Sequence, residues 1–399
     1  MHRRSFLAAG AAALTVPLIA RRAMASTART PETLLLDIAN NSGRFADTSI
    51  YLTVVGVNLS TGANSWLRPD GALVSCGMAD IGPDGYANYS MTLAAFRGLA
   101  LPRMSGRIYV SIGGPLKIRP VADAGQPGGI GLQQPAGWVP TDANYTLLHD
   151  WVEFTFDGGG MNVNATMVDM FSVPLALRLV GQATVTTGTL RPGGRDLVFD
   201  TLKANPDFAR LIVAGGRRIL APAHGINAGL FPPDYLDSYI TQCWTHYQSH
   251  SIAAHNDVYG DFTGQVEGSQ LVFRQGGTVT ARFDKPTTRE VFFCNGALAA
   301  PNNALGALAA IIGAALNRTN LLSNAVQPAA NAAGFYLTPR TNHYAHAMHL
   351  ATVDGKAYGF AFDDVAEFSS YVADPQPQSL TLIIEPFGDR LFSDGFNGG

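Results

Sequence analysis

The sequence predicts a mainly β fold with an α/β insert, and three observations lead there. Short period-two runs of β-branched and apolar residues, separated by Gly, Pro, Asn and Ser, dominate both ends of the chain, about 31–180 and 336–388. The stretch 181–335 changes to helical periodicity, with only short strands between the helices. The 43 glycines and 23 prolines in 399 residues supply the punctuation that many short strands require. The arrangement implied is a β-sandwich or barrel assembled from both chain ends, a mixed α/β domain inserted at 181–335, and a cleft between them suited to a ligand.

Composition removes several classes of function. Hydrophobic residues make up 47% and charged residues 14%, the opposite of a disordered chain. Glycine has no period of three, which excludes collagen. A net charge of -3 speaks against non-specific nucleic-acid binding. Beyond the first 25 residues no run of about 18 uncharged apolar residues occurs, so no membrane span is expected.

Residues 1–25 are read as an export signal. Arg3 and Arg4 precede an apolar run from Phe6 to Ala20, and Ala23-Met24-Ala25 offers small residues for cleavage. The Arg3-Arg4 pair followed by Ser5-Phe6-Leu7 has the pattern of a twin-arginine signal, which places the mature protein in the periplasm or outside the cell. Residues 389–399 read as an acid-and-glycine tail.

The elements follow in order. Thr33–Ile38 and Ser49–Val57 read as strands around Asn40-Asn41-Ser42-Gly43, and Arg107–Ile112 as a strand ended by Gly113-Gly114-Pro115. Residues 122–135 read as a Gly/Pro/Gln loop. Trp151–Asp157 and Met161–Ala165 form a hairpin around Gly158-Gly159-Gly160, and Pro174–Val180 continues as a strand. Helices are expected at 196–204 and 206–213. A third begins at Pro232-Pro233, with Leu236, Ile240, Cys243, Trp244 and Tyr247 on one stripe. Ala304–Asn317 reads as a buried helix too short for a bilayer, and another helix lies near 341–350. Strands are expected at 270–273, 278–283, 290–294 and 380–385, and in the alternation of Tyr358, Phe360 and Phe362. Three cysteines leave at least one unpaired; Cys243 and Cys294 share the insert and are expected to form a disulfide. Their scatter gives no metal-binding spacing.

The chemistry concentrates on the 151–165 hairpin. Strand side chains alternate, so Val152, Phe154 and Phe156 point to the core while Glu153, Thr155 and Asp157 point away. On the return strand Asn162, Asn164 and Thr166 share the polar face. Pairing of Glu153 near Ala165 or Thr166 would bring the two polar rows together as a hydrogen-bonding surface suited to a sugar chain. Asp169 breaks the parity, and a bend there turns its carboxylate toward Glu153. Two carboxylates over one groove suit glycosidic cleavage, one as a neutral acid and the other as an ionised base or nucleophile. Other constellations are weaker. His343, His346 and His349 are three residues apart, which could put two on one helical face at metal-ligand spacing, but the run reads as an ordinary helix surface and no HExxH motif occurs. No nucleophile elbow or phosphate-binding loop is present.

The run WVEFTFDGGGMNVNATMVDMFSVPLALRL resembles the catalytic hairpin of glycoside hydrolase family 64, the β-1,3-glucanases that release laminaripentaose. Similar stretches are RIYVSIGGPL (107–116), TTREVFFCNGALAAP (287–301), Asn342-His343-Tyr344-Ala345 and GKAYGFAFDDV (355–365). The resemblance implies a thaumatin-like β domain over 31–180 plus 336–388, a mixed α/β domain over 181–335, and a wide groove between them. It implies inverting hydrolysis of β-1,3-glucan by a monomer without a cofactor, with Glu153 as general acid and Asp169 as general base. Asp142, Thr155, Thr166 and Asp363 match groove positions. Relatives carry Asn where this chain has Asp157 and Trp where it has Asn162, which removes a stacking surface for one glucose unit. A non-catalytic thaumatin-like glucan-binding protein is the alternative, and it would not need both carboxylates.

Overall fold

The computed structural model describes residues 30–123 and 128–388; the expected signal at 1–25 and the tail at 389–399 lie outside the described residues. Two sheets share the largest all-β core. The first has five strands in the order Thr184–Thr187, Leu175–Val180, Ser379–Ile384, Thr33–Asn40 and Leu99–Pro102. Its centre pairs the two ends of the chain in parallel, with Leu36 opposite Leu380 and Ile38 opposite Leu382. A fold with this pairing closes only when the last strand returns to the first.

The second sheet carries the hairpin. Its central strands are β1 (Ile50–Asn58), β2 (Met104–Ile112), β3 (Leu148–Asp157) and β4 (Gly160–Ala165), all antiparallel, with β2 between β1 and β3. Tyr371–Asp374 pairs with β4 at one edge. The inward residues of both sheets form one cluster: Leu34, Leu36, Leu177, Leu380 and Leu382 from the first, and Val54, Ile108, Val110, Val152, Phe154, Phe156 and Val163 from the second. Removing a Phe154 or Phe156 side chain from water contributes roughly 1.5–3 kcal/mol each, which holds the strand in one register.

The hairpin is closed by the two residues Gly158 and Gly159. Asp157 pairs with Gly160, and the Gly159 N–H donates to Asp157 Oδ1 at 2.7 Å. Gly160 has φ of 120°, and a Cβ there would lie 2.2 Å from the Asp374 carbonyl oxygen, so only glycine fits against the edge strand.

The second core is helix-rich. Its longer helices are α1 (Gly194–Lys203), α2 (Pro222–Asn227), α3 (Asp237–His246), α4 (Thr288–Phe293), α5 (Ala304–Asn317) and α6 (His343–Ala351). They pack with a five-stranded sheet that includes Gly260–Glu267, Gln270–Gln275 and Thr278–Phe283. The expected stripe Leu236, Ile240, Cys243, Trp244 and Tyr247 is buried, though α3 begins at Asp237 and not at the prolines. Asn303 caps α5 by accepting from the Gly306 N–H, and the helix is apolar on nearly all sides because this core surrounds it. The turns from Tyr358 to Phe368 and helix α6 also belong to this core rather than to the space between the two sheets.

Five expectations require correction. The helix expected at 206–213 ends at Ala209, and Ile212–Val213 is a short strand paired with Arg218 and Ile219. Residues 290–294 are the end of α4, not a strand. A capping box decides this: Thr287 Oγ1 accepts from the Glu290 N–H while Glu290 Oε2 accepts from the Thr287 N–H. Residues 358–363 form turns, because Gly359 N–H donates to Asp363 Oδ2 and Asp363 N–H to the Phe360 carbonyl. Residues 119–122 and 130–133, partly within the expected loop, pair as two short strands. Cys243 and Cys294 form no disulfide: Cys76, Cys243 and Cys294 are all free and buried. Cys294 closes α4 in the left-handed region, with its thiol directed to the Val291 carbonyl at 3.5 Å. Among the described residues no helix is long and apolar enough to cross a membrane.

Candidate active site

Strand parity places Glu153 on the face of the second sheet opposite the core, and its neighbours complete a rung. Arg107 on β2 and Asn164 on β4 lie directly across from it. The expected partner was Ala165 or Thr166; the two-residue turn sets Asn164 instead, which puts Asn162, Asn164 and Thr166 on the same face as Glu153 and Thr155. Ser105, Thr155 and Asn162 form the adjacent rung.

One oxygen of Glu153 takes every hydrogen bond the carboxylate makes among the described residues. Arg107 donates to Oε1 from Nη2 at 2.9 Å and from Nε at 3.1 Å, and Trp151 donates from Nε1 at 3.3 Å. Oε2 is left uncommitted. Burial pushes the Glu153 carboxyl above its ordinary value; the Arg107 charge opposes this and the Asp169 charge adds to it. Arg107 is itself fixed by donating from Nη1 to the Gln134 Oε1 at 3.0 Å and to the Tyr109 hydroxyl at 3.2 Å, and it lies over the Trp151 ring.

Asp169 lies in a bend between β4 and the short strand Met170–Phe171. That strand pairs with Arg218–Leu220, which leads directly into α2. The Ala221 N–H donates to the Asp169 carbonyl at 3.0 Å, and His224 donates from Nε2 to Asp169 Oδ1 at 2.7 Å. The Asp169 side chain is 27% exposed and that of Glu153 14%, so both are reachable from solvent.

The remaining predicted residues divide. Thr155 exchanges a hydrogen bond with Ser105 at 2.8 Å, and Asn162 accepts from the Tyr371 hydroxyl at 2.5 Å. Asn164 is buried with Oδ1 lacking a partner, on the Glu153 rung. Thr166 Oγ1 accepts from the Val168 N–H and helps form the bend that carries Asp169. Asp157 stabilises the hairpin turn. Asp142 clamps its own loop through Asn144 and Ala136, and it lines a small polar cavity with Tyr86, Lys117 and Gln134. Asp363, matched to a groove position by the resemblance, is fully buried, with Oδ1 bonded to Arg318 and Oδ2 to His349 and the Gly359 N–H.

Arg107 and His224 escaped assignment as site residues. Arg107 carried one usable signal, the lone charge on the face of the strand opposite the core residues Ile108 and Val110. His224 carried none, because its role depends on where α2 docks. The three histidines of α6 diverge: His343 bonds the Pro339 carbonyl, His346 stacks on Tyr336 and His349 reaches Asp363. No group of three or more His, Cys, Asp or Glu side chains among the described residues is placed to hold a metal.

A β-1,3-glucanase family model matches residues 32–384. The chain belongs to glycoside hydrolase family 64. It is 34% identical to a glucan endo-1,3-β-glucosidase of Cellulosimicrobium cellulans, covering 100% of this chain and 73% of that one. Identity is also 34% to the corresponding protein of Arthrobacter sp. (strain YCWD3), with 96% and 71% covered. Among solved structures, a laminaripentaose-producing β-1,3-glucanase in complex with laminaritetraose superposes with a TM-score of 0.81 at 36% identity, covering 90% of this chain and all of that one. A family 64 β-1,3-glucanase domain from Clostridium beijerinckii gives 0.81 at 28% identity, covering 91% and 100%. This family 64 β-1,3-glucanase thus keeps its two expected carboxylates accessible, each held by different neighbours.

Proposed function

We propose that the protein is an exported endo-acting hydrolase that cleaves β-1,3-glucan with inversion at the anomeric carbon. Glu153 is the general acid and delivers the proton from Oε2 to the leaving oxygen. Asp169 is the general base and takes a proton from the attacking water. The observation that carries this reading is the asymmetry of Glu153: three donors anchor Oε1, while burial favours the protonated form and leaves Oε2 to hold the proton. The adjacent polar rungs, with Thr155, Asn162 and Asn164, supply hydrogen bonds for the sugar hydroxyls. We place a thaumatin-like β unit against the helix-rich unit with a groove between them, and assign residues 336–368 to the helix-rich side on the strength of their packing. Likeness to the laminaripentaose-producing enzyme supports short laminari-oligosaccharides as products.

The test is laminarin hydrolysis followed by proton NMR. The first-formed reducing ends are expected to be α-anomers, and Glu153→Gln is expected to abolish their release while still binding the polysaccharide. Early β-anomer removes the inverting mechanism, and undiminished turnover in Glu153→Gln removes Glu153 from it.

A further inference from the structure

We propose that His224 is the positioning residue of the base, and that Trp138 and Trp151 link it to the acid as an aromatic bridge that fixes the two carboxylates relative to each other. This rests on the assignment of Asp169 and Glu153 above.

Asp169 sits in a bend, so no strand ladder orients its side chain. One short helix does so instead, through the Ala221 N–H on its carbonyl and His224 on Oδ1. A carboxylate only accepts, so His224 carries its proton on Nε2. The His224 ring is held in turn. Trp138 stacks on it with centroids 4.3 Å apart and planes at 27°, and Phe293 meets it edge-on at 5.5 Å. Trp138 lies 6.4 Å from Trp151, whose Nε1–H donates to Glu153 Oε1. An unbroken series of contacts therefore runs from Glu153 through Trp151, Trp138 and His224 to Asp169.

The base of the bridge is closely held. Arg218 donates from Nη1 to the Gly137 carbonyl at 2.7 Å. A Cβ at Gly137 would stand 2.7 Å from Met170 Sδ and 3.0 Å from both Arg218 and His149, so the backbone before Trp138 is closely packed by these three side chains. An aromatic bridge of this kind has few rotatable bonds, which suits a site where the acid and base must stay apart by a set distance.

Several ionisable groups surround Asp169. Its charge reaches Glu153, Arg107 and Tyr109 on the sheet and Tyr344 on α6, whose hydroxyl is committed to the Met167 carbonyl at 2.6 Å. Among the described residues only His224 bonds its carboxylate. His224 occupies Oδ1 and leaves Oδ2 to receive the proton of the water.

The experiment compares the pH dependence of kcat and KM on laminarin for wild type, His224→Phe, His224→Gln, Trp138→Ala and Asp169→Asn. His224→Phe keeps a ring against Trp138 but has no donor. Its kcat is expected to fall about 10- to 100-fold with KM little changed, and the acid limb of kcat/KM to move to higher pH, because the ionised base has lost its donor. His224→Gln restores a donor and is expected to recover part of the rate and of the limb. Trp138→Ala is expected to lower kcat and move the same limb although His224 remains. Wild-type kinetics in His224→Phe overturn the proposal. So does equal loss in Phe and Gln variants with an unmoved limb, which is a structural role only. A rise in KM alone in Trp138→Ala overturns the bridge and makes Trp138 a sugar-stacking surface. Full turnover by Asp169→Asn overturns the base assignment itself, an outcome distinct from the others.

Discussion

Two carboxylate–arginine pairs in this molecule have similar charges and opposite uses. Glu153 pairs with Arg107 in the sheet, at 14% and 19% side-chain exposure, and every donor falls on Oε1. Asp363 pairs with Arg318 in the helix-rich core, at 0% and 2%, and both oxygens are committed. Arg318 is further enclosed by the rings of Phe335, Phe360 and Phe368. The difference lies in the second oxygen. An acid that must give up and regain a proton keeps one oxygen open to substrate. An acid that ties α5 to α6 and the turn before Phe368 spends both.

The contrast is broken most severely at Asp363. Asp363→Ala leaves Arg318 buried without its counter-charge, and unfolding free energy is expected to fall by about 3–5 kcal/mol. Burial pushes His349 down, but Asp363 more than offsets this and holds it above its ordinary value. A raised histidine contributes stability below its unfolded pKa and loses it as pH rises through the raised folded value. The deficit of Asp363→Ala, measured by urea denaturation, is therefore expected to be larger at pH 6 than at pH 8. The activity of molecules that remain folded is expected to be unchanged; a raised KM in a stable Asp363→Ala protein would return Asp363 to the groove.

Arg107 gives the next largest effect, now on rate. Arg107→Met removes a charge and two donors from Glu153 Oε1, so the carboxyl rises further and becomes a weaker acid. We expect kcat/KM to fall roughly 30-fold and its basic limb to move to higher pH, since the protonated form survives longer. Arg107→Lys keeps the charge without the fork, and its limb is expected to move less. An unmoved basic limb in both variants would mean that Arg107 does not act on Glu153.

Which pair was which could not be read from the chain. The hairpin was legible because period-two alternation and the glycine turn determine which side chains share a face, so Glu153, Thr155 and the two asparagines could be placed together. Helix α5 was legible through its all-round apolarity. The α4 segment was misread because β-branched and aromatic residues suggested a strand, while the Thr287–Glu290 capping box, equally visible, was given no weight. Alternation over Tyr358–Asp363 misled for another reason: Phe360 packs on Arg318 and Phe362 against Gly313, both remote in sequence, while Asp363 closes a turn on Gly359. The burial of Asp363 and the arrival of His224 beside Asp169 depend on docking between segments remote in sequence, and local patterns do not encode it. The same holds for Cys243 and Cys294, whose shared core did not make them partners.

The mildest change tests the third donor on the acid. Trp151→Phe keeps a ring beside Trp138 and under Arg107 but removes the Nε1–H that reaches Glu153 Oε1 at 3.3 Å. That bond lowers the carboxyl's pKa less than the Arg107 charge does. Its loss is expected to raise the basic limb slightly and to reduce kcat about three- to tenfold, with stability within about 1 kcal/mol of wild type. The outcome separates two views of the open oxygen. If Trp151→Phe and Arg107→Met shift the limb in the same direction and in that order of size, the donors on Oε1 act together to poise the proton on Oε2. If Trp151→Phe changes only KM, the indole serves the sugar rather than the acid, and Arg107 alone distinguishes this carboxylate from the sealed one.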